Sequence, residues 1–138
     1  CRAGDIYLSE AEMKCKQRIL DMHNKIDFEA VAEVLPEVII VLDEKLNILW
    51  ANNKARQVAL EEPLGAKCYR VYMQRDEPCQ NCHTLETFKT GENIHNTSEV
   101  VYEDGSKKAF DGYTVVAGRD EKGRITKVAE IAREGEVS

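Results

Sequence analysis

The sequence predicts an α+β domain built on an antiparallel sheet. Two strand patterns stand early, the β-branched run Val38-Ile39-Ile40-Val41-Leu42 and the alternation of Leu46, Ile48 and Trp50. Three more close the chain, separated by hairpin signals at Asp104-Gly105 and Glu121-Lys122-Gly123. Strands grouped at both ends, with helices between, argue against alternating βαβ units.

The elements follow in order. Residues 9–26 read as a helix. Ser9 and Glu12 form a capping box, and Glu10/Lys14, Glu12/Lys16 and Asp21/Lys25 are acid-before-base pairs at i,i+4. Cys15, Ile19, Met22 and Ile26 make an apolar stripe at coiled-coil spacing. The stripe fits a helix lying on its own domain or one that dimerises. Asp27 can cap a second helix over residues 28–35, which Pro36 ends. Asp43-Glu44-Lys45 turns the chain between the first two strands. Asn52 can cap a helix over residues 53–60, with Pro63 and Gly65 beyond it. Residues 66–82 show no clear period. Residues 84–89 read as a helix, with Leu85 and Phe88 on one face and Gly91 past its end. The closing strands are expected over residues 98–102, 107–116 and 125–132. Trp50 is expected in the core.

The chain has 138 residues, 43% hydrophobic, enough for one core without a metal or disulfide to hold it. Its 19 basic and 25 acidic residues give a net charge of -6, which argues against nucleic-acid binding. No stretch approaches a membrane span, so no membrane contact is expected of this segment. No signal-peptide pattern opens it, and a start at Cys1 without methionine suggests a piece of a longer protein. Five cysteines are an odd number for a secreted framework and fit free thiols in a reducing, cytoplasmic setting.

Chemistry is concentrated at Cys68, Cys79 and Cys82, the last two within Glu77-Pro78-Cys79-Gln80-Asn81-Cys82-His83. Soft thiolates at short spacing bind zinc or iron–sulfur clusters. The helix start just after Cys82 is expected to favour thiolates. Three sulfurs fall one ligand short of a tetrahedral site. His83, His95 and Cys15 are candidates for the fourth. His83 adjoins Cys82, where two ligands rarely converge, whereas His95 can fold back, so the candidate set is Cys68, Cys79, Cys82 and His95. Three alternatives stay open. Cys79 and Cys82 can form a reversible disulfide with Cys68 as a third exchanging thiol. Cys-x-x-Cys-His is also the attachment pattern of c-type haem, with His83 on iron and Met73 or His95 opposite, which would make an electron-transfer domain. Finally, the thiols can be inert buried hydrophobes in a dimerisation module. No nucleophile-and-base pattern or nucleotide-binding loop is present, so no enzyme is expected. His23 reads as a solvated residue on the polar side of its helix.

In combination, Leu35-Pro36-Glu37-Val38-Ile39-Ile40-Val41-Leu42-Asp43, Ile48-Leu49-Trp50-Ala51-Asn52, Asp104-Gly105-Ser106 and Asp120-Glu121-Lys122-Gly123-Arg124-Ile125 resemble the PAS domain. Gly65-Ala66-Lys67-Cys68-Tyr69, the run from Arg75 to Cys82 and Thr90-Gly91-Glu92 resemble a cysteine-bearing subgroup of prokaryotic sensor proteins. The resemblance covers residues 28–134. At its end Arg133-Glu134-Gly135-Glu136 stands where the family carries Asp-Ile-Thr. It implies a five-stranded antiparallel sheet flanked by short helices, with residues 1–27 as a dimerising or signal helix and 28–138 as the sensory domain. It implies a sensory role. With Cys68, Cys79 and Cys82 this reads as a sensor of redox state, oxygen or metal that regulates an output domain such as a histidine kinase, and the apolar stripe reads as a homodimer through the N-terminal helix. The resemblance also implies a ligand pocket inside the sheet, lined by Tyr72, Phe88, Phe110 and Tyr113, although aromatics at such positions are commonly core.

Overall fold

The computed structural model describes residues 9–24 and 26–135. Cys1, Lys25 with its expected pairing to Asp21, and the side chain of His23 lie outside these residues. The chain divides into two units, Cys1–Val31 and Ala32–Ser138.

In the first unit, α1 (Glu10–Asn24) begins as the capping box predicts. The Ser9 hydroxyl accepts the Glu12 amide at 3.2 Å, and Lys14 lies 3.8 Å from Glu10. The helix ends before Ile26, which leaves Cys15, Ile19 and Met22 as its apolar stripe. Cys15 is disulfide-bonded. The expectation of five free thiols fails there, because an odd count does not reveal which sulfurs meet. α2 (Phe28–Glu33), whose last two residues belong to the second unit, starts at its expected cap, Asp27, whose carboxylate accepts the Ala30 amide at 2.9 Å.

The second unit carries β1 (Val38–Leu42), β2 (Ile48–Ala51), α3 (Asn53–Val58), α4 (Cys68–Met73), α5 (His83–Thr90), β3 (Ile94–Val101), β4 (Lys107–Arg119) and β5 (Ile125–Glu134). All pairings are antiparallel, in the order β2-β1-β5-β4-β3. The last strand therefore returns to lie beside the first, at the centre of the sheet. β3 starts four residues earlier than expected, at Ile94 instead of Ser98. Its first half is polar, and the ladder to β4 extends it where no hydrophobic pattern did. α4 was not expected at all. Leu46 is not a strand residue. Asp43 accepts the amides of Lys45 and Asn47, both at 2.9 Å, and this turn holds Leu46 at φ 65 with its side chain buried. Trp50 pairs with Val41 on the outer face and is only half-buried, so it is not the core residue the alternation suggested.

The inner face of the sheet carries Val38, Ile40 and Leu42 of β1, Val128 of β5 and Phe110 of β4, packed with Ala55, Val58, Val71 and Tyr72 of the helices. Gly112 lets β4 approach β5. A Cβ there would stand 2.0 Å from the Ile131 carbonyl oxygen and 2.7 Å from the Ala132 Cα, both backbone atoms that cannot step aside.

Asn52 ties the first layer together from a fully buried position. Its Oδ1 accepts the amides of Ala55 at 3.0 Å and Ile39 at 3.1 Å, while Nδ2 donates to the carbonyls of Ala32 at 2.9 Å and Glu37 at 2.8 Å. One side chain thus caps α3 and fastens β1 and the end of α2. Asn52→Ala strands two amides and two carbonyls, each costing about 1–3 kcal/mol when buried. We expect a loss of at least about 3 kcal/mol in denaturant unfolding. A change under about 1 kcal/mol would show that the junction does not hold the layer.

Candidate functional site

α4 is placed by backbone bonds. The Cys68 amide donates to the Leu46 carbonyl at 3.1 Å, and the Tyr72 hydroxyl donates to the Ala55 carbonyl at 2.9 Å. The helix ends at Gln74, in the left-handed region at φ 51. The chain then runs to α5, which docks on the sheet through hydroxyls. Thr84 donates to a Glu130 carboxyl oxygen at 2.8 Å. Thr87 donates to the Glu92 carbonyl at 3.0 Å and lies 2.7 Å from the Thr114 hydroxyl. Thr84, Thr87 and Thr114 are fully buried.

Between these helices and the sheet lies a cavity of about 260 Å³. Its walls are Val38, Ile40 and Leu46, then Cys68, Tyr69, Tyr72 and Met73 of α4, and Cys79, Gln80, Asn81, Cys82 and His83 of the connecting segment and α5. The sheet adds Asn96, Thr97, Ser98 and Val100 of β3, Phe110 of β4, and Glu130 and Ala132 of β5. Cys68, Cys79 and Cys82 are free thiols and all face this space, as the sequence suggested.

Other expected site residues lie elsewhere. His95 is exposed, pairs with Asp111 and stacks at 5.0 Å on Tyr113. It neighbours Asn96, which faces the cavity, so strand alternation turns His95 to the opposite side. It is therefore not a fourth ligand in this arrangement, and the disulfide removes Cys15 as another. Tyr113 is on the outer face with His95 and is 53% exposed. Phe88 borders a separate depression with Arg119 and Ile125. Of the four aromatics expected in the pocket, Tyr72 and Phe110 are there. Among the described residues, no group of three or more His, Cys, Asp or Glu is arranged to hold a metal ion. Closure of the sulfurs on an ion would require the segment carrying Cys79 and Cys82 to move.

The electrostatics also depart from expectation. Burial pushes the Cys68 thiol strongly up, and Glu130, Cys82 and Cys79 push it further. Cys79 is raised by burial and by Cys82, with Arg75 opposing. At Cys82 the amides of Leu85 and Thr84 do favour the thiolate, as a helix start should, but burial outweighs them. All three thiols hold their protons at neutral pH.

Glu130 escaped sequence reasoning. Its signal was a lone acid in Val128-Ala129-Glu130-Ile131-Ala132, on the same strand face as Val128 and Ala132. Burial raises its carboxyl above the ordinary value of 4.5, while Thr84 and His83 pull the other way. The folded state therefore holds a proton that the unfolded chain releases. Stability should fall as pH rises from near 4.5 to the folded pKa. Glu130→Gln keeps an oxygen for Thr84 and removes this loss. Melting temperatures of variant and wild type should converge at acid pH and separate above about 4.5, with the variant the more stable. Parallel curves would mean that the carboxyl is not enclosed.

Among the described residues, no helix is long and apolar enough to cross a membrane. The family model for the PAS fold matches residues 32–135. No curated protein matches the chain. Among solved structures, it is similar to the PAS domain of an HTR-like protein from Haloarcula marismortui, at 19% identity and TM-score 0.61, covering 88% of this chain and 98% of that one. It is also similar to the VqmA dimer of Vibrio cholerae, at 16% identity and TM-score 0.60, covering 80% and 52%. A PAS domain from a two-component sensor histidine kinase matches at 11% identity and TM-score 0.58, covering 86% and 100%. PAS domains are regulatory sensor modules that often dimerise and are carried beside output domains. With the family model spanning the whole sheet and its helices, this chain belongs to the PAS-fold family.

Proposed function

We propose that this domain is a non-catalytic sensor whose signal enters the cavity and is read by Cys68, Cys79 and Cys82. The observation that carries the proposal is that three free thiols line one cavity. The output is an attached domain such as a histidine kinase. Sequence spacing puts Cys15, Ile19 and Met22 in register for a homodimer through α1. The free thiols of the cavity fit a reducing, cytoplasmic setting, and the Cys15 disulfide points the other way.

Two chemistries suit thiols that hold their protons. A soft metal ion or iron–sulfur cluster supplies the positive charge that would displace those protons, and sulfur is its preferred donor. Oxidation of Cys79 and Cys82 to a disulfide needs a small-molecule disulfide as electron acceptor, which leaves as two thiols. The low thiolate population makes spontaneous exchange slow, which favours the metal. Either event would pull on the segment between α4 and α5, within the stretch of residues 66–82 that is our candidate for the two-state element a sensor needs. Covalent haem fits poorly, because a cavity of about 260 Å³ is smaller than ordinary drug-sized sites of about 300–1,000 Å³. A second reading, an organic effector, is favoured by the mostly apolar walls around Tyr69, Tyr72 and Phe110.

Anaerobic purification followed by metal analysis and visible spectroscopy tests the thiol reading. We expect zinc or an iron–sulfur chromophore bound in proportion to protein and lost in Cys79→Ser/Cys82→Ser, or failing that a reversible disulfide between the pair. Metal-free protein whose signalling ignores both oxidants and these substitutions would refute it.

A further inference from the structure

We propose that the cavity is a receptor site for a small amine, with the cationic head on Glu130 and an apolar body against Tyr69, Tyr72 and Phe110. The proposal rests on the reading that the signal enters this cavity, and it is independent of how the thiols respond.

Glu130 is the first ground. Thr84 occupies one carboxyl oxygen, Oε1. No hydrogen bond to Oε2 is seen among the described residues. An acid in a largely apolar wall is costly unless something compensates it. No lysine or arginine lines the cavity, so the protein supplies no permanent cation there.

The charge of the wall is the second ground. A carboxylate or phosphate ligand would meet the Glu130 carboxyl with only His83, and no lysine or arginine, on the lining to answer it. The site therefore selects against anions. An ammonium group meets a carboxyl oxygen on one side, and ring faces that attract cations complete the match.

Size is the third ground. About 260 Å³ is far more than a bare ion needs and less than an ordinary drug-sized site. It suits one ring or a short branched chain. Asn96 and Ser98 on β3 offer further hydrogen bonds at the wall.

Three ring compounds of nearly equal shape test the proposal on the full chain: benzylamine, benzyl alcohol and benzoate. Calorimetric titration should show benzylamine binding about tenfold or more tighter than benzyl alcohol, and no binding of benzoate. In Glu130→Gln the advantage of the amine should shrink to about twofold or less, with the alcohol retained. Amide chemical-shift changes in the unsubstituted protein should cluster at Thr84, Tyr72 and Glu130, a readout that does not depend on the variant folding. Benzoate binding as well as benzylamine, an amine preference that survives Glu130→Gln, or no binding of any probe would overturn the proposal. Zinc or iron held by the three cysteines in a protein that ignores amines would also overturn it, while leaving the thiol-sensing reading intact.

Discussion

The arrangement of this domain depends on a polar seam between α5 and the sheet. Thr84 meets Glu130, and Thr87 meets Thr114, all behind apolar walls. Buried hydroxyls are tolerated only when each finds a partner, so the seam permits one rotation and one height of the helix. An apolar contact of equal area would tolerate sliding. Because Cys82 is the residue before α5 and Cys79 lies three before that, the seam also decides where these thiols point.

The first layer uses the same logic with a different residue. Asn52 presents two donors and two acceptor positions, and the structure uses all of them. Around it the pairing of β1 with β5 brings the two ends of the domain together at the centre of the sheet. The close β4–β5 ladder depends on Gly112 having no side chain. These positions serve the fold, and their local chemistry is complete.

The cavity is different, since its chemistry is left incomplete. A carboxyl with one unpartnered oxygen and three protonated thiols share a space that the surrounding packing could have filled with leucine. Such groups lower stability, and native proteins keep them where a ligand or a charge change is to be felt. The thiols show which electrostatic effect wins. A helix start of eight residues contributes amide dipoles at Cys82, but loss of water around sulfur contributes more. A cation or an oxidant therefore has more to change here than at an exposed cysteine pair.

Much of the fold was legible in the chain. β-branched runs, the Asp104-Gly105 hairpin and the Asn52 cap are local signals, each settled by residues within a few positions, and they located most of the elements. The α+β class followed from their order. What failed was whatever depends on facing. Cys68, Cys79 and Cys82 were singled out by type and spacing; all three line one cavity, but they are not grouped to hold a metal ion. His95 and Tyr113 lie on the other face of the sheet, because a one-residue step along a strand reverses the side and no single sequence shows which side is inward; Phe88, on α5, borders a separate depression. α4 was missed since its six residues carry no complete apolar period. Glu130 was missed since a lone acid in a strand reads as solvent-facing until its neighbours on both flanking strands are known. The sequence by itself determined the elements and the sulfur-rich segment, which are near-neighbour properties of the chain. Only tertiary structure decided which groups share the cavity and which hold their protons, because burial and charge proximity arise from residues far apart in sequence.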